Sequence, residues 1–502
     1  MTRVLTGLGA LEGIETAGVE KYLNIPYAEP PVGARRFRLP GPARPWRGTR
    51  DARKFGLPAP QPVFAAGPAA GGTPPAMSED CLTLNVYTPA ADGKRRPVMV
   101  WIHGGGLMTG TAHWAPYDGG RLAAAGDVVV VAVNYRLGFL GNTDLAALGA
   151  EDGVGGALAM HDQIEALRWV RSHIAAFGGD PDNVTVFGES AGGVAASILA
   201  VSPLARGLLH KAICQSGASS VLMPREALER RTESLLRWTG ASTLGELRRL
   251  SVGRILEAQE RYYAAELERP TEVAFAPGYG DALMPDTATR LIREGAGRDV
   301  PVMVGVTEHE WRLWMLWEPR PGRAAVASTF RRLLPGVDAL GAYREAYPGE
   351  SLADLYYALK SDYFFRVPAL LFAEAHAAHQ PATYRYEFGW RSRLREPELR
   401  AAHSMELDFV FGCVDAPHAA ALLGPGEPPL RLSRRMQAAW TAFAANGDPE
   451  HDGLGDWPAY AGGSRDMMYF DDAPRLHDSL PASIVELHRR HAYVRGMGGM
   501  EI

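Results

Sequence analysis

Two stretches of the chain are apolar at nearly every consecutive position: Pro97-Val98-Met99-Val100-Trp101-Ile102 and Val128-Val129-Val130-Val131-Ala132-Val133. Successive side chains of a strand point to opposite faces, so a half-exposed strand alternates apolar with polar residues. A run without alternation has to bury both faces. That is the condition of a central strand in a mostly parallel sheet covered on each side by helices. Val184–Phe187, Pro301–Val306 and Thr383–Phe388 are further strand candidates. Between the second and third of these strands, Met160, Ile164, Leu167, Val170, Ile174 and Phe177 recur every three or four residues, which predicts a helix with one buried face. Gly178-Gly179-Asp180-Pro181 stops it before a strand resumes at Val184. Strand, helix, strand in this order predicts a right-handed crossover between parallel strands, and the fold class is α/β.

No linker or repeat divides the 502 residues, and the expectation is one domain over 1–502. Helices inserted between sheet elements are expected at about 226–268 and 312–380. The Pro-, Ala- and Gly-rich stretch from Leu57 to Met77 reads as a long loop, and the tail from Gly496 to Ile502 as frayed.

Charge excludes one class of partner. A net charge of -5, with basic residues scattered along the chain, leaves no electrostatic footprint for nucleic acid. Arginine far outnumbers lysine and alanine is abundant, a composition that points to a GC-rich bacterial genome. Cys81, Cys214 and Cys413 are widely separated and lack metal-ligand spacing, so they read as reduced, buried thiols. The first residues lack the apolar stretch of a signal peptide, and no run is long enough to span a bilayer. A cytoplasmic protein without membrane contact is expected, as a monomer or weak homo-oligomer.

The chemistry is concentrated where the strand Val184–Phe187 runs into Gly188-Glu189-Ser190-Ala191-Gly192-Gly193 and then a helix-compatible run, Val194 to Ala200. Strand, sharp turn and helix are the context in which a G-x-S-x-G serine is a nucleophile. Such a turn holds the serine in a strained backbone conformation and aims a helix N-terminus at the reacting centre. A second glycine-rich loop, His103-Gly104-Gly105-Gly106-Leu107, follows the apolar run ending at Ile102. Together the two predict an α/β-hydrolase fold in which amides of Gly105, Gly106 and Ala191 form an oxyanion hole.

In this fold the acid and then the histidine follow the serine along the chain. His210, His309, His376, His379, His403 and His418 all qualify by order. His403 stands out because Ala401-Ala402-His403-Ser404-Met405 is a loop-like entry before Phe409-Val410-Phe411. Glu308 and Glu310 both follow the strand Pro301–Val306, at the edge where open α/β sheets hold their sites. The spacing does not choose between them.

Beyond these motifs the sequence resembles the type B carboxylesterase family, which includes bacterial para-nitrobenzyl esterases and the cholinesterases. The matching segments are Ile25 to Gly33 with Arg36-Phe37, Ser78 to Asn85, Asn134 to Phe139, Ala176 to Thr185, Gln215-Ser216-Gly217 and Asn446 to Pro449. The resemblance implies a serine carboxylesterase acting on small-molecule esters through Ser190, Glu310 and His403 by way of an acyl-enzyme. It also implies supporting roles for Glu406 and Ser216 and a salt bridge between Arg36 and Glu79. No metal or organic cofactor is called for. An acyltransferase, amidase or lactone hydrolase on the same triad, or a non-catalytic binding member of the fold, are the alternatives.

Two departures stand out. The family has glycine after the acid, where this chain has Trp311, with Trp314 and Trp317 close behind; these tryptophans either wall the pocket or pack into the core. The loop before Cys81 has neither the tryptophan nor the second cysteine of the cholinesterases, which disfavours a cholinesterase.

Overall fold

The computed structural model describes residues 1–62, 76–145, 148, 156–218, 222–266, 275–461 and 467–491. Most of the loop expected at 57–77, and the whole tail 496–502, lie outside the described residues. The strands are β1 (Thr2–Thr6), β2 (Gly9–Thr16), β3 (Val19–Pro26), β4 (Thr49–Asp51), β5 (Thr83–Thr88), β6 (Arg96–Ile102), β7 (Val129–Val133), β8 (Gly179–Glu189), β9 (Lys211–Gln215), β10 (Val302–Thr307), β11 (Thr383–Phe388), β12 (Met468–Phe470) and β13 (Arg475–Leu476).

They form one sheet in the order β1-β2-β3-β5-β7-β6-β8-β9-β10-β11-β12-β13, with β4 paired to β2. From β7 to β12 every neighbouring pair is parallel. The flanking pairs β1–β2, β2–β3, β3–β5, β5–β7 and β12–β13 are antiparallel. The apolar runs are the middle of the parallel region, and each divides its side chains between two cores. Val98, Val100, Ile102, Val129, Val131 and Val133 pack on one side; Met99, Trp101, Val128, Val130 and Ala132 pack on the other. The strand period of two is therefore intact and both faces are apolar, which removes any alternation from the sequence.

β11 is fully buried yet carries Arg385 and Glu387. Glu387 is tolerated because Arg366, itself buried, donates to it at 2.9 Å and also pairs with buried Asp362 at 2.8 Å. A buried charge without such a partner would be costly.

The helix Leu158–His173, continued by a 3-10 turn over Ile174–Phe177, links β7 to β8. Since β6 lies between those strands, the crossover skips one position. Gly178 ends the turn at φ 78°, the left-handed conformation that glycine adopts without steric penalty. Helices follow at Arg225–Thr239, Leu244–Arg249 and Val252–Glu266, and again at Arg323–Leu333, Ala339–Ala346, Leu352–Ser361 and Val367–Ala377. Among the described residues no helix is long and apolar enough to cross a membrane.

Candidate active site

The site lies at the carboxyl ends of the parallel strands, where sheet topology alone directs attention in open α/β folds. β8 ends at Glu189, and Ser190 adopts φ 57° and ψ -122° before the helix Ala191–Val201 begins. A non-glycine residue at positive φ is strained. Here the neighbours hold it in place: Ser190 N–H donates to the Gln215 carbonyl at 2.9 Å, and the Ser190 carbonyl accepts from Val194 N–H at 3.0 Å. The glycines of the elbow are required by close approach. A Cβ at Gly192 would come within 2.0 Å of the Ile102 carbonyl oxygen, and one at Gly188 within 2.5 Å of the Gly192 carbonyl.

Ile102 pairs with Gly188, so the loop leaving β6 arrives beside the elbow. A Cβ on Gly104 would lie 3.1 Å from Ser190 Cβ. Burial keeps His103 neutral by pushing its pKa down to about 4. Its ring stacks on Tyr135 at 4.4 Å, and Nδ1–H donates to the Gly104 carbonyl at 2.8 Å. Gly105 turns at φ 106°, and its carbonyl accepts from both Met108 and Thr109 N–H. Gly106 follows at φ 62° with open space where a side chain would stand. Ala191 is the first residue of its helix, so its amide has no partner within the helix.

Glu310 and His403 come together from loops after β10 and β11. The Glu310 carboxylate is fully buried; Oε1 accepts from Thr307 N–H at 2.8 Å and Oε2 contacts His403 Nδ1 at 2.6 Å. The backbones of the two loops are also joined, by His309 N–H to the Ala401 carbonyl at 2.9 Å and His403 N–H to the Glu310 carbonyl at 3.2 Å. Glu308, the other acidic candidate, instead accepts from Tyr469 Oη at 2.8 Å. Of the other candidate histidines, His376 contacts Thr383 at 2.8 Å and His418 contacts Asp408 at 3.1 Å.

One participant was missed by reading the motif. Glu189, the variable position of the elbow, places Oε1 at 3.0 Å from His403 Nε2 and accepts from Ser404 Oγ at 2.6 Å. Among the described residues no hydrogen bond joins Ser190 Oγ to His403; Glu189 occupies the nitrogen that faces the elbow. Burial works against the imidazolium, but Glu189 and then Glu310 outweigh it and push the His403 pKa up to about 10. The sequence shows only a carboxylate beside Ser190 on a turn of small residues, with nothing local to tie it to His403.

Glu406 and Ser216 lie behind this group. Glu406 Oε1 accepts from Tyr386 Oη at 3.0 Å and Gln215 Nε2 at 3.1 Å, and burial raises its pKa to about 8. Ser216 sits at φ 47° with its N–H on the Gly305 carbonyl at 2.8 Å. Ser216 Oγ and Glu406 Oε2 are both buried without a hydrogen-bond partner. Arg36 and Glu79 form a two-pronged ion pair at 2.6 and 2.5 Å.

The tryptophan segment divides. Trp311 stacks on Trp314 at 4.2 Å, and Trp314 meets the His403 ring at 5.3 Å. Phe365, from the π-helical turn Asp362–Arg366, approaches the same ring at 4.9 Å. Trp317 is half exposed. Trp311 fits after the acid because Glu310–Leu316 forms a 3-10 turn and Trp311 N–H donates to Ser361 Oγ at 2.9 Å.

A profile of the carboxylesterase family matches residues 1–333 and 338–486. The chain belongs to the carboxylesterase family. It is 35% identical to the para-nitrobenzyl esterase of Bacillus subtilis (strain 168) over 470 residues, covering 93% of this chain and 94% of that protein. The phenmedipham hydrolase of Pseudarthrobacter oxydans is likewise 35% identical over 471 residues, covering 91% and 92%. A solved thermophilic para-nitrobenzyl esterase superposes with a TM-score of 0.86 at 34% identity, covering 97% of this chain and 99% of that one. A carboxylesterase of Geobacillus stearothermophilus gives 0.84 at 34% identity, covering 95% and 98%. The α/β-hydrolase fold and the carboxylic ester hydrolase class follow from this membership.

Proposed function

We propose that this carboxylesterase hydrolyses small carboxylic esters with Ser190 as nucleophile, His403 as general base and Glu310 as the acid that orients it. The observation that carries the reading is the 2.6 Å contact between Glu310 and His403 Nδ1, which turns Nε2 toward the elbow bearing Ser190. For attack, His403 first releases to solvent the Nε2 proton it shares with Glu189, and the neutral Nε2 then turns to Ser190 Oγ while Ser404 Oγ keeps hold of the Glu189 carboxylate. His403 then takes the hydroxyl proton as Oγ bonds to the ester carbonyl carbon, and the carbonyl oxygen becomes an oxyanion. Amides of Gly105, Gly106 and Ala191 bind that oxyanion; loss of one such donor typically costs about a hundredfold or more in turnover. Return of the proton to the leaving alkoxide releases the alcohol and leaves an acyl-Ser190 ester. Water, deprotonated by the same histidine, completes hydrolysis. Glu406 and Ser216 hold the loops behind the triad in register.

Para-nitrobenzyl and p-nitrophenyl esters are the probes of choice, given the relatives. Ser190→Ala is expected to lower turnover of p-nitrophenyl acetate by roughly a millionfold, by analogy with other triads. Turnover retained in that variant would exclude Ser190. Product analysis with competing alcohols and amines separates hydrolysis from acyl transfer and amide cleavage. A reducing, cytoplasmic setting is part of the same proposal, supported by the free, buried thiols of Cys81, Cys214 and Cys413.

A further inference from the structure

Just beyond the Glu406–Val410 helix the chain makes a tight turn through Gly412, at φ 75°. Three different donor types converge there. Asp408 Oδ1 lies 3.3 Å from Cys413 Sγ and 3.1 Å from His418 Nε2, and all three atoms fall within 4.8 Å of one another. We propose that Asp408, Cys413 and His418 form a binding site for a single zinc-class divalent cation, separate from the ester-cleaving centre.

Two of the three donor-to-donor edges are close to what such an ion needs. With Zn–S near 2.3 Å and Zn–N and Zn–O near 2.1 Å, a tetrahedral site has donor-to-donor edges of about 3.4 to 3.6 Å. The two measured edges are within a few tenths of an ångström of these values. The turn is also held by its own backbone. Cys413 N–H donates to the Asp408 carbonyl at 2.8 Å and Ala416 N–H to the Cys413 carbonyl at 2.8 Å, so ligand placement does not depend on long, mobile side chains.

Charge and donor chemistry agree. A carboxylate, a thiolate and a neutral imidazole around a divalent ion sum to zero, which suits a site where Asp408 and Cys413 are buried. Arg121, a neighbouring cation, is engaged by Asp415 and by the Gly412 carbonyl. Sulfur and nitrogen donors select zinc-class ions over calcium and magnesium, which take oxygen. Binding forms the metal–sulfur bond and releases the Cys413 thiol proton to solvent. His418 keeps part of its ring in solvent, which gives the ion an entry path and leaves the fourth position to water. The ion would clip the segment following Glu406 and take no part in ester cleavage.

The test uses the full-length chain without a polyhistidine tag, freed of metal by a chelator and titrated with Co2+. One equivalent is expected to produce a thiolate-to-cobalt charge-transfer band with intense tetrahedral d–d absorption, displaced by Zn2+. Cys413→Ser should abolish the charge-transfer band, and His418→Ala should weaken binding at least about tenfold. Both variants should hydrolyse p-nitrophenyl acetate at the parental rate, which also shows that they are folded. Absence of the band in the parent overturns the proposal, as does a band that survives in Cys413→Ser, since Cys81 and Cys214 are the remaining thiols.

Discussion

Replacing Glu189 by glutamine separates the two carboxylates that flank His403. The side chain keeps its size and loses its charge at 3.0 Å from Nε2. The rise in the His403 pKa from 6.5 to about 10 corresponds to about 5 kcal/mol of preference for the imidazolium. Burial opposes that rise, and Glu189 leads the groups that cause it, ahead of Glu310. As the leading contributor, Glu189 accounts for at least about 2 kcal/mol, so its loss lowers the pKa by about 1.5 or more. In the proposed mechanism His403 accepts a proton only when neutral, so activity is expected to appear as pH rises through that pKa. The acid limb of kcat/KM, which reports the free enzyme, should therefore move about 1.5 pH units toward acid. A second signature accompanies it. The imidazolium formed during attack loses a stabilising partner, and if half of the 2 kcal/mol is expressed at that stage, the plateau falls about fivefold. The assay is kcat/KM for p-nitrophenyl acetate across the pH range, with circular dichroism to confirm folding. A limb that stays in place or moves toward alkali in folded Glu189→Gln would refute the reasoning.

Glu406 gives a stability prediction of opposite character. Its folded pKa of about 8 stands above the ordinary value of 4.5, so the folded state holds a proton that the unfolded state has released. Its contribution is fully present below about pH 4.5 and is lost as pH rises through 8. Glu406→Gln should thus melt progressively higher relative to the parent between pH 5 and 8; a constant difference in Tm would contradict this. Trp314→Ala removes an aromatic ring lying against His403 and should favour p-nitrophenyl butyrate over acetate by about tenfold in kcat/KM. An unchanged ratio would show that Trp314 does not bound the acyl group.

The parts of the structure legible in the sequence were those in which local pattern and tertiary role coincide. β6 and β7 are apolar throughout because two cores claim alternate residues, and the elbow needs glycine because carbonyls crowd it. β1, β2 and β3 escaped notice because glycine and charged residues interrupt their patterns and their pairing is antiparallel, at the margin of the sheet. The choice of Glu310 over Glu308 was not readable from spacing: two carboxylates on one short loop point different ways, and only the turn into Glu310–Leu316 decides which meets a histidine. Glu189 was invisible for a related reason. Its contact with His403 spans more than two hundred residues of sequence, and nothing local marks it.

The paired backbone hydrogen bonds between the Glu310 and His403 loops separate two parts of this enzyme that can be altered independently. Glu310 and His403 are stitched together by main-chain atoms that any residue supplies, so their alignment does not rely on the side chains of the helices between them. The intervening helices, which deliver Phe365 to the imidazole, can be lengthened or resurfaced wherever Arg366 is kept on Glu387. A library confined to that segment should yield altered substrate ranges on an undisturbed chemical engine, and grafts from relatives can be joined at the two rungs.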